Sequence, residues 1–367
     1  MKVLILQSHI SSYNIPVYKL LSRKVELTLA YTIANESEKD LPFKTVKLEY
    51  FNFYNFIIIK NNFRKLCNSF DVVIFMADLH YLSFWALLLF RTNTKLIPWT
   101  IGIRASYKRL YSLTAKKGVI DLLYGKLLNS FDSVIFYMQQ PIPFWRGIIN
   151  EEKIFVAHNT VDVLENGPKQ INHINSILFI GSLYKEKMIY ELIEAYVLAK
   201  KNINTKDFFT LNIVGKGEEY SNIKLFIKEK KLTNSIFLLG PIYDEVQISK
   251  LFTKSLLCIS PNQAGLSVLK SMGYGVPFVT RENAITGGER LNIINNSNGI
   301  LYNSQAELVD IISNSFLNKQ EYIEMGRNAK EYYMSNATPK HMVNGFIEAI
   351  NYSTKTLKLI KKYNYFT

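Results

Sequence analysis

Short β-branched runs alternate with helical stretches along almost the whole chain, and the alternation starts afresh after a break. In the first half the apolar runs fall at Lys2–Gln7, Val25–Tyr31, Val46–Tyr50, Asp71–Met76, Lys95–Thr100, Ser133–Tyr137 and Lys153–Val156. Helical patterns over Pro16–Arg23, Ile57–Cys67, His80–Phe90 and Gly118–Asn129 separate them. The second half repeats the scheme, with strands at Ser176–Ile180, Thr210–Val214, Ile236–Leu239 and Leu256–Ser260. Its helices are predicted over Ile189–Lys200, Tyr220–Lys230, Asp244–Thr253, Glu307–Leu317, Gln320–Ser335 and Lys340–Tyr352. Runs that are apolar throughout belong to strands buried on both faces, as in a parallel sheet covered by helices. Between the halves, Val161–Asn172 loses periodicity and gains Asn, Gly and Pro, the composition of a linker. The expectation is an α/β chain of two doubly wound, Rossmann-like domains, 1–163 and 164–340. The remainder, 341–367, would be a C-terminal helix and basic tail packing back on the first domain. Such sheets bind ligands at the carboxyl ends of their strands, so the two domains are expected to face each other across a cleft.

The 367 residues are 48% apolar, enough for two buried cores, and carry a net charge of +14. Residues 1–163 hold 20 Lys/Arg against 12 Asp/Glu, and the rest 24 against 18, so the excess of +8 and +6 is shared. That surface suits anionic partners: nucleic acid, phosphorylated metabolites or an anionic membrane face. The spread of the charge and the lack of any recognition motif argue against nucleic acid. Cys67 and Cys258 lie in apolar surroundings and read as reduced, buried thiols, and no Cys/His spacing suggests a metal site. The N-terminus turns polar too soon for a signal peptide. The longest apolar run, Tyr81–Phe90, falls short of the ~18–20 residues that cross a bilayer. A cytoplasmic protein is expected, peripheral on the inner face of the membrane if its cations meet lipid. Lys108, Arg109, Lys116 and Lys117, and a tail from Lys355 to Phe366 that mixes cations with aromatics, suit an anionic bilayer.

Chemistry concentrates at strand ends. The Leu256–Ser260 run enters the turn Pro261-Asn262-Gln263-Ala264-Gly265, and a helix is predicted from Leu266 to Gly273. A strand feeding a helix through small residues makes an anion cradle, because leading backbone N–H groups and the helix dipole point the same way. Ile180 is followed by Gly181, Ser182, Lys185 and Lys187, a turn whose lysines suit a phosphate; Lys187 is expected to be partly exposed. A further turn, Val214-Gly215-Lys216-Gly217, lets backbone approach a ligand closely. In the first half, His80 follows the Asp71–Met76 strand. Arg104 follows the Lys95–Thr100 strand, with a fork suited to a phosphate or diphosphate. His9, Asn14 and His158 are the other polar residues at strand ends and loops.

Taken in order, several motifs resemble the family-4 (group 1) nucleotide-sugar glycosyltransferases, and within them a bacterial polysaccharide and O-antigen branch. They are Ile180-Gly-Ser-Leu with Lys187 and Leu192-Ile-Glu-Ala, Ile213-Val-Gly-Lys-Gly-Glu, Phe237-Leu-Leu-Gly-Pro, Ile259-Ser-Pro and Met272-Gly-Tyr-Gly-Val-Pro. Tyr13-Asn-Ile-Pro, Trp99-Thr-Ile-Gly-Ile-Arg-Ala-Ser and Val156-Ala-His-Asn-Thr-Val-Asp fit in the first half. The resemblance implies the GT-B architecture, a nucleotide-sugar donor in the second domain and a saccharide or lipid-linked acceptor in the first. It implies retention of configuration with no metal or other cofactor. Of the family's diphosphate-binding cations, the lysine falls on Lys187, but the arginine position is Ser182. The family's paired glutamates are both absent, and Lys270 stands at the second position. In the branch an acidic residue beyond the Gly-x-Pro strand serves instead. Glu282 and Glu289 are the candidates, and Glu289 is favoured for its Gly-Gly approach, to accept the ribose hydroxyl protons. Leaving-group stabilisation would rest on Lys187, Lys185 and the N–H groups of Asn262–Gly265. The implied function is sugar transfer to a lipid-linked or lipopolysaccharide-type acceptor in capsule or O-antigen synthesis. The missing groups leave two alternatives open: a sugar-nucleotide epimerase on the same fold, or an inactive scaffold subunit.

Overall fold

The computed structural model describes residues 1–34, 41–60, 62–90, 93–103, 116–165 and 171–363; side chains are left aside at 171 and from 356 on. Two compact units result. The first takes in, among these residues, 1–103, 116–160 and 338–363, and the second Val161–Ala337.

Among the described residues, nine strands belong to the first unit: β1 (Lys2–Gln7), β2 (Glu26–Tyr31), β3 (Lys44–Lys47), β4 (Tyr50–Phe53), β5 (Phe56–Ile59), β6 (Val72–Met76), β7 (Lys95–Thr100), β8 (Val134–Phe136) and β9 (Ile154–Val156). Seven form one parallel sheet in the order β3-β2-β1-β6-β7-β8-β9. Alternate residues of β1 feed opposite cores, as the two-residue period of a strand requires. Val3 and Ile5 pack with Val17 and Leu21 of α1 (Ile15–Ser22) and with Met342, Phe346 and Ile350 of the C-terminal helix. Leu4 and Leu6 pack with Cys67 of α2 (Phe63–Asn68) and Phe84 and Leu87 of α3 (Leu82–Phe90). Beyond these, α4 (Val119–Asn129) and α5 (Ile142–Trp145) close a smaller core around Tyr124, Phe136 and Trp145.

The segment predicted as a helix over Ile57–Cys67 is instead a strand followed by a short helix. Three consecutive isoleucines, Ile57 to Ile59, favour extended backbone. They find a partner in β4, with which β5 forms an antiparallel hairpin turning at Tyr54 (φ 52°).

The second unit begins with β10 (Ser176–Ile180), α6 (Ile189–Ile203), β11 (Thr210–Val214), α7 (Tyr220–Glu229), β12 (Ile236–Gly240), α8 (Glu245–Lys254) and β13 (Ser255–Ile259). It continues with β14 (Gln263–Ala264), α9 (Ser267–Gly273), β15 (Phe278–Arg281), β16 (Ile285–Thr286), β17 (Gly299–Tyr302), α10 (Gln305–Leu317) and α11 (Lys319–Asn336). The parallel sheet runs β12-β11-β10-β13-β15-β17. The chain builds outward one way from β10 and the other way from β13, so the topological switch lies between these two neighbours. Loops leaving adjacent strands at a switch diverge to opposite sides and leave a crevice at the strand ends. Between β16 and β17 the chain makes a single 3-10 turn, Glu289–Asn292.

The last helix, α12 (Pro339–Tyr363), completes the first unit. Its apolar stripe, Met342, Val343, Phe346, Ala349 and Ile350, is buried, and Phe346 meets Trp99 at 4.9 Å between ring centroids. Gly345 lets this helix touch β9: a Cβ there would stand 2.1 Å from the Val156 carbonyl oxygen. Gly345→Val is therefore expected to cost about 1–3 kcal/mol, the usual price of forced overpacking, read as a lowered urea midpoint with the first unit loosened.

Candidate functional site

The loops that leave β10 and β13 at the switch are locked to one another. The Tyr184 hydroxyl donates to Gln263 Oε1. Asn262 Nδ2 donates to the Glu186 carbonyl at 3.1 Å. The Ser260–Ala264 loop is in turn clamped from the far side. Arg281 N–H donates to the Pro261 carbonyl at 3.0 Å and Ile285 N–H to that of Asn262 at 2.9 Å. Gln263–Ala264 and Ile285–Thr286 form a small parallel ladder, and Ser260 Oγ donates to the Gln263 carbonyl at 2.8 Å. From this loop α9 starts one residue later than predicted, at Ser267, with Gly265 and Leu266 carbonyls accepting from Val268 and Lys270. Gly265 has open space where a Cβ would stand.

The loop after β11 presses on the loop after β10. A Cβ at Gly215 would fall 1.8 Å from the Gly181 oxygen, and one at Gly217 2.2 Å from that of Leu183. Leu183 N–H donates to the Lys216 carbonyl at 2.8 Å, and Gly181 N–H to that of Val214 at 3.0 Å. Two glycines thus set the level of the β10 loop against its neighbour.

Within this frame Lys187 is buried, 6% exposed, against the expectation of partial exposure. The turn Lys185–Lys187 folds back, with Met188 left-handed (φ 53°), so that the ammonium lies over Gly181: a Cβ there would be 3.6 Å from Nζ. The ammonium also lies 5.7 Å from the Tyr184 ring centroid. Among the described residues none hydrogen-bonds Nζ. Burial pulls the Lys187 pKa down to about 8, and the neighbouring Cys258 and Glu289 only partly restore it. Glu289 is likewise buried, 7% exposed. Thr286 Oγ1 donates to its Oε2 at 3.4 Å while accepting from Gly288 and Arg290 N–H at 3.0 and 3.1 Å. Glu282, the other candidate carboxylate, is exposed. The structure thus brings Gly181, Lys187, Gly215, Pro261, Asn262, Gln263 and Glu289 into one connected framework at the sheet switch. Ser182 and Lys185 face solvent beside it.

Lys270 is tied to Glu245 of α8 at 2.6 Å, and Tyr274 shares that carboxylate. It braces α9 against α8. Arg281 reaches Glu191 at 2.7 Å, whose other oxygen accepts from Tyr302 at 3.0 Å. This ion pair fixes β15, and with it the Pro261 carbonyl contact, to α6. Neither Tyr184 nor Thr286 stood out in the sequence. Tyr184 had a signal, since it sits inside the same turn as Lys187. Thr286 had none, because the β14–β16 ladder that places it spans about 20 residues of loop and helix.

In the first unit, His80 is exposed, and its Nδ1 and backbone N–H both meet Asp78 Oδ1, at 2.7 and 2.9 Å. It caps the turn after β6. His9 is exposed between Ser8 and Ser11. His158 is half-buried, and burial together with the His341 charge holds its pKa down. Arg104, with Lys108 and Arg109, lies outside the described residues.

Residues 168–332 match the family model described as glycosyl transferases group 1. An uncharacterized glycosyltransferase of Methanocaldococcus jannaschii is 26% identical over 253 residues, 66% of this chain and 59% of that protein. The poly(glycerol-phosphate) alpha-glucosyltransferase of Bacillus subtilis is 28% identical over 173 residues, 45% of this chain. The chain thus spans less than two thirds of either protein's length, and only 24% of the second. Among solved structures, Anabaena HepE in complex with UDP and glucose superposes with a TM-score of 0.66 at 15% identity, covering 96% of this chain and 99% of that one. The fold is GT-B, with two Rossmann-like α/β units, and the chain is related to the group 1 glycosyltransferases.

A lysine whose pKa falls on folding destabilises the fold while charged in both states. The penalty, about 3 kcal/mol, is fully present below pH 8 and is relieved as pH rises from 8 towards 10.5, where the unfolded state still holds the proton. Lys187→Met should therefore raise the unfolding midpoint of the ligand-free protein at pH 7. The difference between variant and wild type should shrink as pH passes 8, as followed by denaturant unfolding across pH.

Proposed function

We propose that this protein is a retaining, metal-independent hexosyltransferase that moves a sugar from a nucleotide-sugar donor to a lipid-linked or lipopolysaccharide-type acceptor in bacterial surface polysaccharide synthesis. Its place of work would be the cytoplasm or the inner face of the cytoplasmic membrane. One observation carries the reading: a buried ammonium, Lys187, at the switch of a parallel sheet, held over Gly181 in a loop bolted to the turn that starts α9. A cation kept out of water beside leading helix N–H groups is suited to a diphosphate, since charge develops there as the glycosidic bond breaks.

Each residue then has a part. Lys187 takes charge on the β-phosphate, and the backbone of Asn262–Gly265 with Leu266 shares it. Glu289, steadied by Thr286, accepts hydrogen bonds from the ribose hydroxyls. Ser182 adds no charge, so transition-state stabilisation leans on Lys187 more heavily. His80 and Arg104, from the first unit, are assigned to the acceptor side. Support for retention comes from the Bacillus relative, named an alpha-glucosyltransferase: an α-linked product from an α-linked nucleotide sugar is retention. Support for a uridine nucleotide comes from the HepE complex. The Bacillus relative's poly(glycerol-phosphate) polymer favours a surface-polymer acceptor.

Thermal shift against UDP-, GDP- and dTDP-sugars should single out one base; no shift with any of them would leave the scaffold reading, and conversion of the sugar without acceptor the epimerase. With the donor so identified, Lys187→Ala should lower turnover by roughly a hundredfold or more. Titration calorimetry should find Glu289→Ala weakening the nucleotide by roughly tenfold or more, a lost charge-assisted hydrogen bond, and exposed Glu282→Ala nearly neutral.

A further inference from the structure

Two neighbouring elements of the first unit lack a polar face. In the β4–β5 hairpin, Phe51 and Phe53 stand opposite Ile58 and Phe56, so these four share one face. The other face carries Tyr50, Ile57 and Ile59, packed into the core with Val73 and Phe75, and one polar residue, Asn52, opposite Ile57 and exposed. A hairpin that covers a core needs only one apolar face; this one has two, and the outer is open. Tyr54 at the turn is 87% exposed, with its ring 5.0 Å from that of Phe53. Helix α3, LSFWALLLF, holds one polar residue, Ser83, whose hydroxyl accepts from Ile59 N–H at 2.9 Å. Phe84 and Leu87 are buried, whereas Leu89 is 78% and Phe90 49% exposed. A helix apolar all round is normally enclosed. The hairpin and α3 join at the Ile57 N–H to His80 carbonyl bond, 2.7 Å, and at Ser83. Beyond α3, Trp85 meets Tyr124 of α4, whose Ile120 and Leu123 are also exposed.

The charges around this surface select the occupant. Lys44, Lys47, Lys60, Arg64 and Lys65 are all exposed on the elements that frame it. Among the described residues the exposed carboxylates there are Glu26, Glu49 and Asp71; Glu26 lies 4.0 Å from Lys44 Nζ and Asp71 accepts from the Lys2 N–H, which leaves Lys47, Lys60, Arg64 and Lys65 as the cations of the rim. Arg64 lies over the Phe90 ring, 5.3 Å from its centroid, and donates to the Phe90 carbonyl at 3.1 Å. Arg64, Lys65, Asn68 and Ser69 line a shallow hollow beside it, a donor-rich setting that suits a phosphate. Aromatic and aliphatic side chains level with a cationic rim match the interface of an anionic bilayer: rings enter the acyl boundary and cations meet headgroups. A second protein would need acidic groups to meet the rim and an apolar face of its own.

We propose that the outer face of the hairpin and α3 is a docking surface for an anionic lipid bilayer, with Phe53, Tyr54, Leu89 and Phe90 inserting and Arg64 and Lys65 holding lipid phosphates. This deepens the transferase reading, which needs a site of work at the membrane, and binding can be tested without donor or acceptor. The full chain is floated with vesicles of phosphatidylcholine alone and of phosphatidylcholine with phosphatidylglycerol. It should bind the anionic vesicles and not the neutral ones. The double variant Phe53→Ser/Tyr54→Ser and, separately, Leu89→Ser should each weaken binding by roughly tenfold, and Arg64→Gln/Lys65→Gln should weaken it most at low salt. Failure of the wild type to float with anionic vesicles, or equal flotation of all variants, overturns the proposal. So does a concentration-dependent dimer in sedimentation velocity that the same substitutions abolish, which would give the face to a second copy of the chain. Nucleotide-sugar thermal shift on the same samples separates the two readings: vesicle binding without nucleotide binding leaves the surface standing and removes the transferase, and the reverse removes the surface alone.

Discussion

Lys187 holds a positive charge where the protein penalises charge. Its ammonium is buried over the Gly181 backbone at the junction of β10 and β13, and its pKa is depressed to about 8. An isolated cation in such a place is poorly solvated, and an anion that takes the place of water regains much of what burial cost. The rest of the second unit is arranged to keep the group there. Gly215 and Gly217 let the neighbouring loop press against the backbone beneath it. Tyr184 and Asn262 stitch the β10 loop to the β13 loop. The Arg281–Glu191 pair and the β14–β16 ladder hold the second loop from behind.

Preorganisation of this kind has a physical advantage over a flexible surface lysine. A mobile side chain loses rotamer entropy when it orders on a ligand, whereas a side chain already fixed by packing has lost it on folding. Burial also strengthens the field of the ammonium in the low-dielectric surroundings.

The first unit follows a different logic. Its sheet is satisfied on both sides, with α1 and α12 on one face and α2, α3 and the hairpin on the other. The outer surface of that second layer remains apolar although its inner surface already fills the core. Folding does not require this excess, since a polar outer face would serve the core equally well. Such a surface, rimmed by cations, is of the kind that meets a partner or a membrane.

Much of the architecture was legible in the residues because it rests on local periodicity. Continuous β-branched runs announced nearly every strand of both parallel sheets, and the turn sequences at Gly181, Gly215 and Pro261 fall in the loops that meet at the sheet switch. The Ile57–Cys67 stretch misled because an apolar run of that length fits helix or strand, and only the partner strand β4 decides between them. The β14–β16 ladder left no periodic trace, being two residues on each side. Lys270 was visible as a residue out of place, but its tie to Glu245 joins positions 25 apart. The sequence by itself determined the two sheets, their order of elements and the small set of cations and carboxylates available at strand ends. Only the tertiary structure decided that Lys187 is buried while Lys185, two residues earlier, stays in water, because burial depends on which loops from distant strands close over a turn, and that is a property of packing.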